Sequence, residues 1–126
     1  MRFLFLFFFA TNIFALNWKA VIPFDDGIYY VDIDSIKKSN GMVYYWDLED
    51  RYEKITIGGY TFMSSVAYKI ADCDMNRTKI LKVVFYEKNM KSGRVQYIAD
   101  YESPSWEYIV PGSVQDLINE YVCSKG

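Results

Sequence analysis

Two cysteines are the only thiols in the chain: Cys73 in IADCDMNR and Cys123 in NEYVCSKG, fifty positions apart. What they do fixes both the compartment and the fold. A redox pair, part of a metal site and a covalent staple are the three readings. No C-x-x-C redox motif is present. Two thiolates do not complete a structural zinc site, and the chain has no histidine to supply the missing ligands. The start of the chain points to the staple. In MRFLFLFFFATNIFA, Arg2 precedes a short run of Phe and Leu, then polar Thr11 and Asn12, then the small Ala15. That is the layout of a secretory signal, with cleavage expected after Ala15 and residues 16–126 as a single mature domain. The apolar run 3–10 is too short to span a bilayer. In an exported chain two such cysteines read first as a disulfide, and closing a loop of this length is worth about 4 kcal/mol in the chain-entropy model.

The missing histidine also removes the Ser-His-Asp and Cys-His nucleophile arrangements. The charge balance, 14 basic against 16 acidic side chains, carries no basic excess for nucleic acid. Acidic residues do gather: Asp32 with Asp34, then Asp47, Glu49 and Asp50. Paired carboxylates serve glycoside hydrolysis, but these residues read first as solvated faces and turn ends of an acidic exported domain. No D-x-D-x-D-G calcium loop accompanies them. The expectation is a non-enzymatic protein with no catalytic residues, no bound metal and no cofactor.

The body of the chain is written in strands. Aromatic residues make up 19% of it, with 12 tyrosines, which suits pleated sheet. Segments 16–24, 28–36, 42–52, 64–73, 78–88 and 94–101 read as strands. Asn40-Gly41 is a tight hairpin signal, and Gly58-Gly59 a hairpin tip or loop. Segment 102–112 is irregular, with a short extended piece near 106–110. Residues 113–123 form the one helix: Ser113 as N-cap, Asp116 three residues later, and Val114, Leu117, Ile118, Tyr121 and Val122 on one face. Gln115, Asp116, Asn119 and Glu120 take the other face. Strands joined in succession, then one helix, give an α+β domain: an antiparallel meander of about six strands with the C-terminal helix packed on one face and tied down by the disulfide. The small residues Ala67 and Ala71, on the same strand face as Cys73, mark where the helix lies. Lys69 shares that face and is expected to lean to an edge. Leu81, Val83 and Phe85, with Trp46 and Trp106, read as core.

The order WKAV, IYYVDIDSIKKSNGMVYYW, SSVAYKIADCDMNRTKILKVVFYEKNMKSG, then a tryptophan before VPGSV and a closing VC, resembles the bacterial surface-adhesin protein E family over roughly residues 18–123. The resemblance implies a sheet of about six strands with a disulfide-tied terminal helix, and proteins of the outer surface that bind host matrix proteins and epithelial cells. Surface-anchored members carry a lipid-attachment cysteine after the signal. This chain has none there, so no stable membrane anchor and a periplasmic or secreted location are expected. Tyr and Trp are favoured at protein interfaces, and a helix on one side leaves the other sheet face bare. The expected function is an exported binding module that uses Tyr30, Tyr45, Tyr52 and Tyr68 on that face. Its partner would be a protein or a second copy of itself, as in a homodimer. A periplasmic small-ligand carrier using an aromatic cleft under the helix or the Gly58-Gly59 loop, or an envelope structural protein, is the alternative.

Overall fold

The structure is a computed structural model that describes residues 17–125; the expected signal and its cleavage point lie outside the described residues. Eight strands form one antiparallel sheet: β1 (Trp18–Phe24), β2 (Gly27–Asp32), β3 (Lys37–Ser39), β4 (Met42–Ile57), β5 (Tyr60–Asp72), β6 (Arg77–Lys88), β7 (Ser92–Asp100) and β8 (Glu107–Tyr108). The order across the sheet is β1-β2-β4-β5-β6-β7, with β3 beside β4 and β8 beside β6. The long path is the expected meander. The two extra strands are short pieces that extend the end of the sheet at which β5 finishes. β3 exists because Asp32 ends β2 instead of continuing it: its carboxylate accepts the backbone N–H of Asp34 at 3.2 Å and starts a 3-10 turn, Ile33–Ser35. Asp32 and Asp34 are therefore not neighbours on one strand face.

Turn chemistry sets the register. Asn40 and Gly41 both have positive φ, 53° and 79°, the conformation that a two-residue hairpin between twisted strands requires. Gly27 has a different task. A Cβ there would collide with the Asp50 carbonyl oxygen and come within 2.9 Å of Arg51 Cα, so β2 and β4 approach as closely as they do only with glycine at that position. Gly58-Gly59 forms the β4–β5 hairpin tip, and β4 carries extra residues between Asp50 and Ile55 where it pairs β5.

The helix, α1 (Val114–Lys125), lies over β1, β4 and β5. Its start is fixed by the expected cap: Asp116 N–H donates to Ser113 Oγ at 3.2 Å, while the Asp116 carboxylate accepts Gly112 N–H at 2.8 Å and Asn76 Nδ2 at 3.0 Å. Its end is fixed by the Cys73–Cys123 disulfide, with Cα atoms 6.0 Å apart. Between these anchors Val31, Val43, Tyr45, Ala71, Ile118 and Val122 form a core with no exposed surface. Apolar burial of this kind is worth about 25 cal/mol per Å², so this core adds to the cap and the disulfide in holding the helix to the sheet.

The buried helix face is turned away from the one its apolar residues mark. Leu117 is 41% exposed, whereas Asn119 is buried. The cause lies beneath it. Lys69 does not lean to an edge; it stays under the helix, with Nζ 2.7 Å from Asp47 Oδ2 and 2.9 Å from Gln115 Oε1. The contact with Asp47 is ionic, off the direction of a good hydrogen bond. Gln115 Nε2 donates to the Tyr45 hydroxyl and to Asn119 Oδ1, both at 3.0 Å, and Asn119 Nδ2 reaches the Arg77 carbonyl. Buried polar groups need partners, so the helix presents Gln115 and Asn119 inward along with Ile118 and Val122.

Candidate functional site

Directly paired residues in an antiparallel sheet share a face, so the register sorts every side chain. Val43, Tyr45 and Asp47 of β4 and Ala67, Lys69 and Ala71 of β5 face the helix. Met42, Tyr44, Trp46 and Leu48 face the other way, as do Val66, Tyr68 and Ile70. No helix or second sheet covers this open face among the described residues. It carries its own small core: Leu48, Val66 and Val84 form a row, at 0%, 3% and 8% exposure. Trp18, Tyr30, Trp46 and Tyr86 pack around that row and remain half-buried. The rings do what a covering layer would otherwise do. In the next row Trp46 lies against Tyr68, centroids 5.0 Å apart, and Tyr44 is 6.2 Å from Tyr68.

Above the aromatic rows the face becomes basic. Lys37 pairs Tyr44, Lys79 pairs Ile70, Lys82 pairs Tyr68 and Arg77 pairs Asp72. Lys79 and Lys82 are three apart and would point to opposite faces of a regular strand. A β-bulge at Leu81 brings them to the same one. The bulge also accounts for the apolar part of β6, where Leu81, Val83 and Phe85 are only half-buried and Val84 is the buried hydrophobic residue. Trp106 is not core either. Arg77 Cζ and Lys79 Nζ each lie 4.4 Å from its ring, a double cation–π contact. Arg77 Nε also donates to Asp72 Oδ2 at 2.8 Å, and this bond holds the Asp72 carboxyl below its ordinary range.

Of the four tyrosines expected to meet a partner, Tyr30 and Tyr68 are on the open face, and Tyr52 is 63% exposed beside the β4 irregularity. Tyr45 is a correction: it is fully buried on the helix side, where burial pushes its hydroxyl pKa up to about 12, so it touches no partner. The gathered carboxylates do not converge. Asp32 begins a turn, Asp47 pairs Lys69, and Glu49 takes the Tyr29 hydroxyl at 2.6 Å and Arg51 at 2.9 Å. Asp50 fastens the β6–β7 turn through Asn89 and the Met90 N–H. Beneath the helix there is a packed core where an aromatic cleft was one expectation. A cleft does exist at the Gly58 tip. It measures about 350 Å³ and is lined by Ile57, Gly58, Tyr60, Phe62, Phe85 and Tyr97, with Phe62 and Phe85 edge to face at 4.7 Å.

These features define a class: a small disulfide-braced α+β module with one sheet face covered by a helix and the other left as an aromatic and basic surface. Residues 18–124 match the surface-adhesin protein E family, and the chain belongs to that family. Among solved structures it is similar to Haemophilus influenzae protein E, at 16% identity with a TM-score of 0.62 over 85% of this chain and 83% of that one. A second crystal form of the same protein gives 17%, a TM-score of 0.60, and 76% and 80%. No curated protein sequence matches the chain. At these identities the likeness establishes the shared fold.

Proposed function

We propose that the chain is an exported, non-enzymatic adhesion module that docks a protein partner on the open sheet face. The observation that carries this reading is the set of half-buried rings, Trp18, Tyr30, Trp46 and Tyr86, closing over Leu48, Val66 and Val84 where no helix or second sheet does among the described residues. Aromatic anchors set around a desolvated apolar centre are the arrangement in which protein interfaces concentrate their energy. Membership of a surface-adhesin family supports adhesion as the role and host surface proteins as the partner class. Residues 1–15 support export, and no described helix is long and apolar enough to cross a membrane. Tyr30→Ala and Tyr68→Ala test the reading on protein that keeps its near-UV circular dichroism. Each should weaken binding to immobilised extracellular-matrix proteins by tenfold or more, about 1.4 kcal/mol. Full binding by both variants, together with unchanged self-association by light scattering, would sink it. The small-ligand reading retains one location, the apolar cleft at Gly58; native mass spectra of protein from its own host that show no bound ligand would remove it.

A further inference from the structure

We infer that the basic half of the open face seats an acidic segment of the partner protein, one that also carries apolar side chains; this rests on the reading that the face docks a protein. Lys37, Arg77, Lys79 and Lys82 collect there in a chain whose formal net charge is −2. One nearby carboxylate, Asp72, neutralises Arg77 at 2.8 Å; the three lysines keep their charge. Asp72 is buried and spent on Arg77 and the Met75 N–H. Asp100 stands 3.8 Å from Lys82 Nζ with its side chain 67% exposed, a surface pair worth little. Trp106 holds Arg77 and Lys79 in place before any ligand arrives, so less side-chain entropy is lost when an anion binds. The same cations border the rings of Trp46, Tyr44 and Tyr68. A phosphate-bearing surface would match the charges and leave those rings without apolar partners; an acidic polysaccharide could stack sugar faces on the rings but would leave the aliphatic Ile98, 49% exposed in the adjoining row, without one. A polypeptide segment carrying both acidic and apolar side chains matches both.

The test uses a fluorescent synthetic peptide that alternates glutamate with leucine, its lysine-for-glutamate counterpart and heparin, titrated with the full mature protein by anisotropy. The acidic peptide should bind, weaken steeply as salt rises, and lose about tenfold in affinity on Lys79→Gln/Lys82→Gln. The lysine peptide should not bind. Equal binding of the two peptides, no binding of the acidic one, indifference to the double variant, or heparin binding more tightly than the peptide would each overturn the inference. The same variants on matrix-protein binding separate the two proposals. If Tyr30→Ala and Tyr68→Ala abolish that binding while Lys79→Gln/Lys82→Gln leaves it intact, the docking face stands and the acidic partner falls. If neither set matters, both fall.

Discussion

Lys69→Met is the most informative single change in the molecule. The ammonium is buried against Asp47 and Gln115 beneath the helix. Removing one member of a buried pair strands the other charge, at a cost of about 3–5 kcal/mol, out of the roughly 5–15 kcal/mol that holds a domain together. The stranded group here has an escape. Burial already holds the Asp47 carboxyl above its ordinary range, opposed by Lys69; without the ammonium it rises further. A carboxyl with a raised folded pKa favours the folded state in its neutral form, so the penalty should shrink as pH falls from about 8 toward about 5. Urea unfolding followed by tryptophan fluorescence at several pH values measures this directly. Asp47→Leu/Lys69→Met, which removes both charges, should recover most of the loss. A single variant within about 1 kcal/mol of wild type at neutral pH, or a penalty flat across that pH range, would refute the account of the pair.

Cys73→Ser/Cys123→Ser should cost about 4 kcal/mol in the same assay, from a closed loop of separation 50. The Asp72 and Asp116 carboxyls are both held below their ordinary range, the first by its bond from Arg77 and the second by the Gly112 N–H. Their stabilisation is present above the unfolded carboxyl value and lost as pH falls through the depressed folded one, so acid titration by circular dichroism should show the helix loosening below about pH 4. Leu48→Ala on the uncovered face should still cost about 2–5 kcal/mol, because Leu48 has no exposed surface; a thermal melt within a degree or two of wild type would contradict the second core.

The meander and the staple were legible because each rests on local chemistry. Asn40-Gly41, the strand periodicities and Ser113 with Asp116 act within a few residues, and two cysteines allow one pairing. The two faces were harder to tell apart. Along β4 the more apolar side is Met42, Tyr44, Trp46 and Leu48, yet the helix covers Val43, Tyr45 and Asp47. A buried ion pair makes the covered side look polar, and that put Tyr45 on the wrong face. The same pair turned Asn119 inward. The basic patch was hidden by the bulge at Leu81, which no residue in TKILKVVF announces. Trp106 met its cations through a long-range return of the chain, beyond the reach of periodicity.

The disulfide has a mechanical consequence. Tension applied between the two ends of the described chain runs along β1 to β5, reaches Cys73 and crosses the sulfur–sulfur bond to the end of α1. β6, β7 and β8 stand outside that line of force. Roughly 170 Å of contour, at about 3.4 Å per residue over a separation of 50, stays locked until the bond is reduced. The cation-bearing strand β6 and its tryptophan clamp lie within that loop, so load reaches them through their pairing with β5 and not along their own backbone.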